Sequence, residues 1–547
     1  MQDNRRQASF MYGAAILSVA GIVIKFIGFC FRIPLANLIG GEGMGYYNAV
    51  YPVYTLLVVI ATTGIPIAVS RLVAEHMTEG DPGGAHRVFR IAVLLMGSLG
   101  VCFFAALFFL AGPITNSLTE LSGAVYAMRW IAPALIFVPI MAAFRGYFQG
   151  MQDMKPTALS QIVEQIFRVV FGLLLAFFFV GLGVEYAAAG GTFGATAGAA
   201  GGLICMVVIY SKFKKSVSFR KRREEARATR DAARNVKAGE IIRRIIWIAV
   251  PITVGAAVMP IMYNIDMWVV PARLSYAGFD PVAVRSMYGQ LTGFAEPLTN
   301  LPKVLTQAIA VSMVPAIVRA WKKKDKDALE QNVTLGFRLA LIIGLPCTVG
   351  FMILSEPIML LLYPGKPEDA VGAAPALFIF AIGVVFLSSI DALTSVLQGI
   401  GKQMIPFVNI AIGAACKLLI TYLLTGIPIF NIRGAAIGTV FAYVIATVLN
   451  YRAVVTYTGI HFDFSLTFVR PAISAGVMGA IAAIAYHVLQ IQISGKLAAV
   501  CAILLGIVAY VILLFATRSI RGEELNLLPK GEKFYKIYRK LAKKFGK

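Results

Sequence analysis

Apolar runs long enough to cross a bilayer follow one another along almost the whole chain, and that succession excludes most folds. About 18 or more apolar residues in helical form span the roughly 30 Å of bilayer hydrocarbon. The even alternation of a β-barrel strand is absent, so the backbone has to satisfy itself within helices. We place about 14 spans, near 9–39, 43–76, 84–113, 118–149, 156–182, 186–210, 240–272, 282–320, 328–355, 367–400, 404–427, 431–458, 466–490 and 494–517. The expected fold is an all-α integral membrane protein. A hydrophobic share of 59% against 14% charged residues leaves no need for a soluble domain. Arg5 and Arg6 precede a first run longer than a signal-peptide core, so that run is expected to be retained as the first span.

A net charge of +23 raises nucleic acid as a partner, but its distribution argues for a membrane. Lys and Arg crowd the loops on the side of both termini, which the positive-inside rule makes cytoplasmic. The segment 211–239 holds the run FRKRREEARATR and reads as a basic cytoplasmic linker facing the anionic inner leaflet. The tail, 521–547, is basic and amphipathic, with Phe534, Ile537 and Leu541 on one side, and is expected to lie on that leaflet. All six cysteines fall inside apolar runs, with neither a disulfide framework nor metal spacing, and the sequence points to no cofactor.

Charges within the spans are the candidate functional residues. A charge near the bilayer centre costs about 2.5–3.5 kcal/mol on insertion scales, so it normally faces protein or a watery cavity. Lys25 and Arg32 lie in the first span, and with Gly21 and Gly28 they form one helical stripe, cationic and small. Such a stripe suits an anionic ligand approaching the backbone, with Arg gripping a phosphate at two points. The bland reading is that Arg32 snorkels to the interface and Lys25 pairs with a carboxylate. Asp266, Glu296, Lys303, Asp391 and Lys417 complete the intramembrane charges of the second half; Glu296 and Lys303 share a face. The carboxylates either bind a coupling cation or neutralise Lys25. In the fifth span Glu164 and Arg168 are spaced to pair, either as a structural ion pair or lining a cavity. Arg129 and Arg145 read as snorkelling residues, Tyr47, Tyr51 and Tyr54 as an interfacial belt in preference to a cavity wall that stacks on sugar rings, and Arg71 and Glu75 as a local pair.

The second half restates the first. YFQGMQDMKP at 147–156 lines up with VLQGIGKQMIP at 396–406, AAGGTF at 188–193 with AAIGTV at 435–440, and AVS at 68–70 with AVS at 310–312. Matches in the same order imply two parallel six-helix lobes, 1–210 and 240–460, with two further helices at 461–520. Such repeats are a transporter architecture whose site lies between halves.

The pattern K-x-x-G-x-x-x-R-I-P at 25–34, LIGGEGMGYYNAVYPVY at 38–54, the two QG motifs and LPKVLTQAIAVSMVPAI at 301–317 resemble the polysaccharide-exporter branch of the multidrug/oligosaccharidyl-lipid/polysaccharide flippase superfamily, within it the stage V sporulation protein B group and the lipid II flippases. The resemblance covers essentially the whole chain. It implies an alternating-access flippase with a cationic cavity, in which the two C-terminal helices form a groove for lipid tails. Lys25 matches the first-span basic residue of lipid II flippases, and Arg32 falls close to their second charged site. Where those relatives carry Asp-Arg before the Leu-Pro of the eighth span, this chain has Glu296 and Pro297, with Lys303 as a substitute cation.

The expected function is translocation of an undecaprenyl-diphosphate-linked sugar, the peptidoglycan precursor lipid II first among them, from inner to outer leaflet of the cell membrane. Candidate substrate-contacting residues are Lys25, Arg32, Asp266, Glu296, Lys303 and Asp391. Membrane potential or a coupling cation supplies the drive, since no G-x-x-x-x-G-K-[ST] motif is present. The alternatives are a flippase for another polyprenyl-linked polysaccharide, a drug or cation antiporter of the same superfamily, a membrane enzyme acting on the lipid, and a scaffold for wall assembly. An antiporter calls for an acidic cavity, and an enzyme for a catalytic carboxylate on an external loop; those loops are short, and Glu185 and Glu368 have no partner that suggests a site.

Overall fold

The computed structural model describes residues 2–215, 238–517 and 519. Most of the basic linker and the whole of the basic tail lie outside the described residues. Every regular element among the described residues is helical. The elements run α1 (Gln2–Thr62), α2 (Gly64–Thr78), α3 (Pro82–Ser117), α4 (Ala124–Ile131), α5 (Ala134–Gly150), α6 (Lys155–Phe179), α7 (Val184–Lys215), α8 (Ala238–Tyr276) and α9 (Pro281–Gly289). They continue as α10 (Glu296–Lys323), α11 (Lys326–Ile353), α12 (Ser355–Leu362), α13 (Pro367–Gly399), α14 (Met404–Thr425), α15 (Asn431–Thr458), α16 (Arg470–Gln492) and α17 (Gly495–Ala516).

Thirteen of these stretches are long and apolar enough to cross a membrane. The first, Val23–Thr78, has 56 residues, about 84 Å of helix and more than twice the hydrocarbon thickness. Its backbone breaks at Gly40, with φ 67 and ψ −171, values that favour glycine. The break falls in LIGGEG, between the first two expected spans, so this stretch supplies two passes and fourteen result. The fourth expected span is also interrupted, at Ala132 and Pro133 between α4 and α5. The eighth contains a π-helical turn, Gln290–Ala295, between α9 and α10.

Packing divides the chain into two units, 1–293 and 294–547. This partition differs from the one read from the repeats, because α8 and α9 group with the first unit. Unit 1 is built around α2, α3, α5 and α7, where Leu72, Met96, Met141, Phe148 and Met206 are buried with Ile245 of α8. Unit 2 is built around α10, α11 and α13, where Ile317, Val333, Leu393 and Leu397 meet Tyr510 of α17. In lipid, close packing and hydrogen bonds replace the hydrophobic drive, so small residues mark the contacts. Thus α6 packs on α7 where Gly194 lies against the Arg168 carbonyl, and α14 packs on α15 where Gly438 lies against the Lys417 carbonyl.

The QG motifs make the same turn in both units. Met151 N donates to Tyr147 O, Gln152 N to Gln149 O and Asp153 N to Phe148 O. Ile400 N donates to Val396 O, Gly401 N to Gln398 O and Lys402 N to Leu397 O. Both are Schellman-type ends with a left-handed residue, Gln152 at φ 62 and Gly401 at φ 84. The matched glycines also pack alike, Gly150 on Ser70 and Val73 of α2, Gly399 on Ile317 and Val314 of α10.

Candidate substrate site

Within unit 1 the polar side chains of α1, α5 and α6 gather inside the apolar bundle. The stripe on α1 turns its Gly28 toward α6, where a Cβ would sit 3.0 Å from Gln165 Nε2. One turn on, Arg32 is half-buried, and its Nη1 lies 3.5 Å from the carbonyl oxygen of Thr292 in the π turn. Lys25 is exposed on the same helix. On α6, Glu164 accepts from Arg145 Nη2 of α5 at 2.9 Å and from Arg168 Nη2 at 3.4 Å. Arg145 Nε also donates to Ser160 Oγ at 3.0 Å. Arg145 therefore does not snorkel: it is 16% exposed and anchored across two helices, a correction to its sequence reading. Arg129, by contrast, lies over the Phe108 ring, 5.7 Å from its centroid.

The tyrosines are likewise not an interfacial belt. Tyr47 and Tyr54 are buried at 2% and 5% exposure, with Tyr51 half-buried between them. The Tyr47 hydroxyl donates to Tyr51 Oη at 2.8 Å, and the rings stand 4.6 Å apart. Arg168 has all three hydroxyls as electrostatic neighbours, and Arg32 also faces Tyr47. Phenol dipoles partly solvate the guanidiniums, but they carry no compensating charge. Two guanidiniums, Arg145 and Arg168, thus share the Glu164 carboxylate, and Arg32 approaches the same tyrosines at Tyr47. Arg168 Nε is buried with no hydrogen-bond partner among the described residues. Such an arrangement is suited to an anion, because buried charge is tolerated where an opposite charge completes it.

Asp266 is half-buried on α8, where Asn264 Nδ2 donates to Pro52 O of α1 at 2.8 Å. In unit 2 the predicted residues Glu296 and Lys303 are half-buried on α10. The buried Thr306 hydroxyl lies 3.2 Å from Lys303 O and 3.1 Å from Asp391 Oδ2 of α13, so the Lys303 turn and Asp391 meet at one side chain. Lys417 is buried on α14. Arg71 and Glu75 pair at 3.2 Å as expected, and Arg244 of α8 joins Glu75 at 2.7 Å. Sequence reasoning missed the Arg145 partner and a second pair, Glu42 with Arg285, whose members are too far apart in the chain for any spacing rule.

This fold is that of a known class of transporter. The chain superposes on the inward closed conformation of lipid II flippase MurJ with a TM-score of 0.69 at 15% identity, covering 91% of this chain and 97% of that one. It superposes on an inward-facing multidrug resistance MATE family transporter of the MOP superfamily with a TM-score of 0.66 at 15% identity, covering 82% and 98%. The helical bundle with its intramembrane charges is a multi-pass membrane protein of the fold those two transporters share. More particularly, residues 10–321 match the polysaccharide biosynthesis protein family and residues 251–423 the MatE family. The chain belongs to the polysaccharide biosynthesis protein family. It is 28% identical over 527 residues to stage V sporulation protein B of Bacillus subtilis (strain 168), covering 95% of this chain and 98% of that protein. It is 27% identical over 497 residues to lipid II flippase MurJ of the same organism, covering 88% and 89%. By name, the MurJ relative and neighbour are lipid II flippases and the MATE neighbour is a multidrug resistance transporter.

Proposed function

We propose that the chain moves a polyprenyl-diphosphate-linked saccharide, lipid II in the first instance, from the inner to the outer leaflet by alternating access between two lobes, with both termini cytoplasmic. The observation that carries this reading is that Arg145 and Arg168 share the single carboxylate of Glu164 between α5 and α6, with Arg168 Nε left without a partner among the described residues. A bare diphosphate in hydrocarbon is prohibitively costly, and a guanidinium cluster supplies the charge and the paired donors it needs. Arg32 and Arg168 contact the diphosphate, Glu164 and Arg145 hold Arg168 in place, and Lys25 draws the headgroup in from the α1 surface. Glu296, Lys303, Asp266 and Asp391 are assigned to the path through the second half, and the carboxylates to a coupling cation. An acidic cavity, as a cation antiporter requires, is not what this cluster offers. The membrane potential contributes about 2.3 kcal/mol per charge per 100 mV to the translocation.

Proteoliposomes carrying fluorescent lipid II test the reading. Wild type flips the probe, while Lys25→Ala, Arg32→Ala and Arg168→Ala at matched insertion do not. Flipping that survives all three substitutions removes the cluster from the path; a wild type inert on lipid II but active on another polyprenyl-linked glycan changes the cargo and keeps the class.

A further inference from the structure

The end of α1 beyond the Gly40 break is sealed against α9 by contacts that the transport site does not need. Arg285 Nε donates to Glu42 Oε1 at 2.8 Å, Arg285 Nη1 to Glu120 O at 3.3 Å, and the guanidinium lies over the Tyr46 ring at 5.6 Å. Ser275 Oγ donates to the Glu120 carboxylate at 3.0 Å. Backbones touch along this seam: a Cβ at Gly289 would fall on the Gly41 carbonyl, and one at Gly45 on the Arg285 carbonyl. At its inner end, Gly293 abuts Met44 and the amide of Asn48, whose Nδ2 is buried with no partner among the described residues. The seam lies at the end of the first pass remote from the N-terminus. Beneath it, Arg32 reaches the same segment through its 3.5 Å contact with Thr292 O.

That contact is long for a hydrogen bond and neutral at its acceptor, so it is weak. A phosphate offers the same guanidinium a charged, two-point acceptor, roughly twice as strong per bond. An anionic headgroup therefore has differential affinity for the state in which Arg32 has left Thr292, the condition for a ligand to shift a conformational equilibrium. We propose that Arg32 is a latch: it holds the Thr292 carbonyl while the α1–α9 seam is closed, and its surrender to an anionic lipid headgroup frees the Glu42–Arg285 pair to part. The inference rests on the reading of the cluster as the substrate site, and it adds what substrate binding does there. Arg32 acts on the seam as a positioning residue.

Hydrogen exchange on the full chain in lipid nanodiscs, read at peptides covering 41–48 and 285–293, tests the latch, with undecaprenyl diphosphate as the probe. Without probe, Arg32→Gln and Glu42→Gln are expected to exchange about fivefold faster than wild type or more at both peptides, the lower end of common coupling energies. Arg32→Lys, which keeps the charge without the fork, falls between. With probe, the wild type accelerates similarly and Arg32→Gln gains nothing further. Wild-type exchange rates in unliganded Arg32→Gln overturn the latch. Acceleration by probe in Arg32→Gln overturns the trigger. Failure of the probe to bind wild type, measured by displacement of a fluorescent lipid, defeats the reading of the site, and fast exchange in unliganded Arg32→Gln then still upholds the hold of Arg32 on the seam.

Discussion

Glu164 and Arg145 face each other at 2.9 Å from adjacent helices, each 16% exposed, and this pair fixes the cationic cluster to the scaffold. Removing one member of a buried pair leaves the other uncompensated at about 3–5 kcal/mol, and a cost toward the lower end is expected for this half-buried pair. Glu164→Ala strands Arg145 and Arg168 together and is expected to lose stability of that order, read as a lowered unfolding midpoint in detergent. The double substitution Glu164→Met with Arg145→Met removes both charges and is expected to cost clearly less. A double variant as unstable as Glu164→Ala counts against the pair as the anchor.

The repeated QG turn gives an internal control. Gln152 and Gly401 occupy the same left-handed position, at φ 62 and φ 84, but only one of them is glycine. Left-handed backbone costs an ordinary residue about 1–2 kcal/mol. Gln152→Gly is expected to stabilise the protein by about 1 kcal/mol and Gly401→Gln to destabilise it by a similar amount, both by thermal unfolding in detergent. Equal and opposite shifts support one turn geometry in both units; a stabilising Gly401→Gln refutes it.

How much of this was legible depends on whether the signal was local. Span count and helical class followed from the length of apolar runs, and the break at Gly40 falls in the gap left between the first two expected spans. Arg32 stood out because a charge in an apolar run is conspicuous anywhere. The pairing of Arg71 with Glu75 and of Glu164 with Arg168 followed from helical spacing. Arg145 was misread because its partner is on the next helix, and nothing in one helix records what the neighbour presents. Tyr47, Tyr51 and Tyr54 were misread because an aromatic face at a span end has the same pattern whether it meets lipid headgroups or a guanidinium. Glu42 and Arg285 come together only through the packing of α9 onto α1.

In unit 2, the Thr306 hydroxyl has one proton and two acceptors, Lys303 O and Asp391 Oδ2. Thr306→Val removes that donor from a half-buried carboxylate and is expected to cost about 1–3 kcal/mol. If Asp391 takes part in coupling, Thr306→Val also alters the dependence of transport on the cation gradient, whereas Thr306→Ser preserves both. Lys303→Ala is expected to slow flipping at equal expression; unchanged flipping removes Lys303 from the path.

Close helix contact sets the position of Arg168 as much as its ion pair does. Gly194 of α7 lies against the Arg168 carbonyl and the Cα of Gly172, so a larger side chain there has backbone in its way and cannot be relieved by a rotamer change. Overpacking of this kind costs about 1–3 kcal/mol, and here the strain falls on the turn of α6 that carries the guanidinium. Gly112 of α3 serves as the control, since a Cβ there meets nothing within 4 Å. Gly112→Ala is expected to be neutral or stabilising by up to about 1 kcal/mol through helix propensity alone. Gly194→Ala is expected to lower the unfolding midpoint, and Gly194→Val to abolish lipid flipping while still inserting, because α6 and α7 part and Arg168 loses its place beside the tyrosines. Normal flipping by Gly194→Val would mean that the position of Arg168 does not govern transport, and the cluster would then be a structural feature of unit 1.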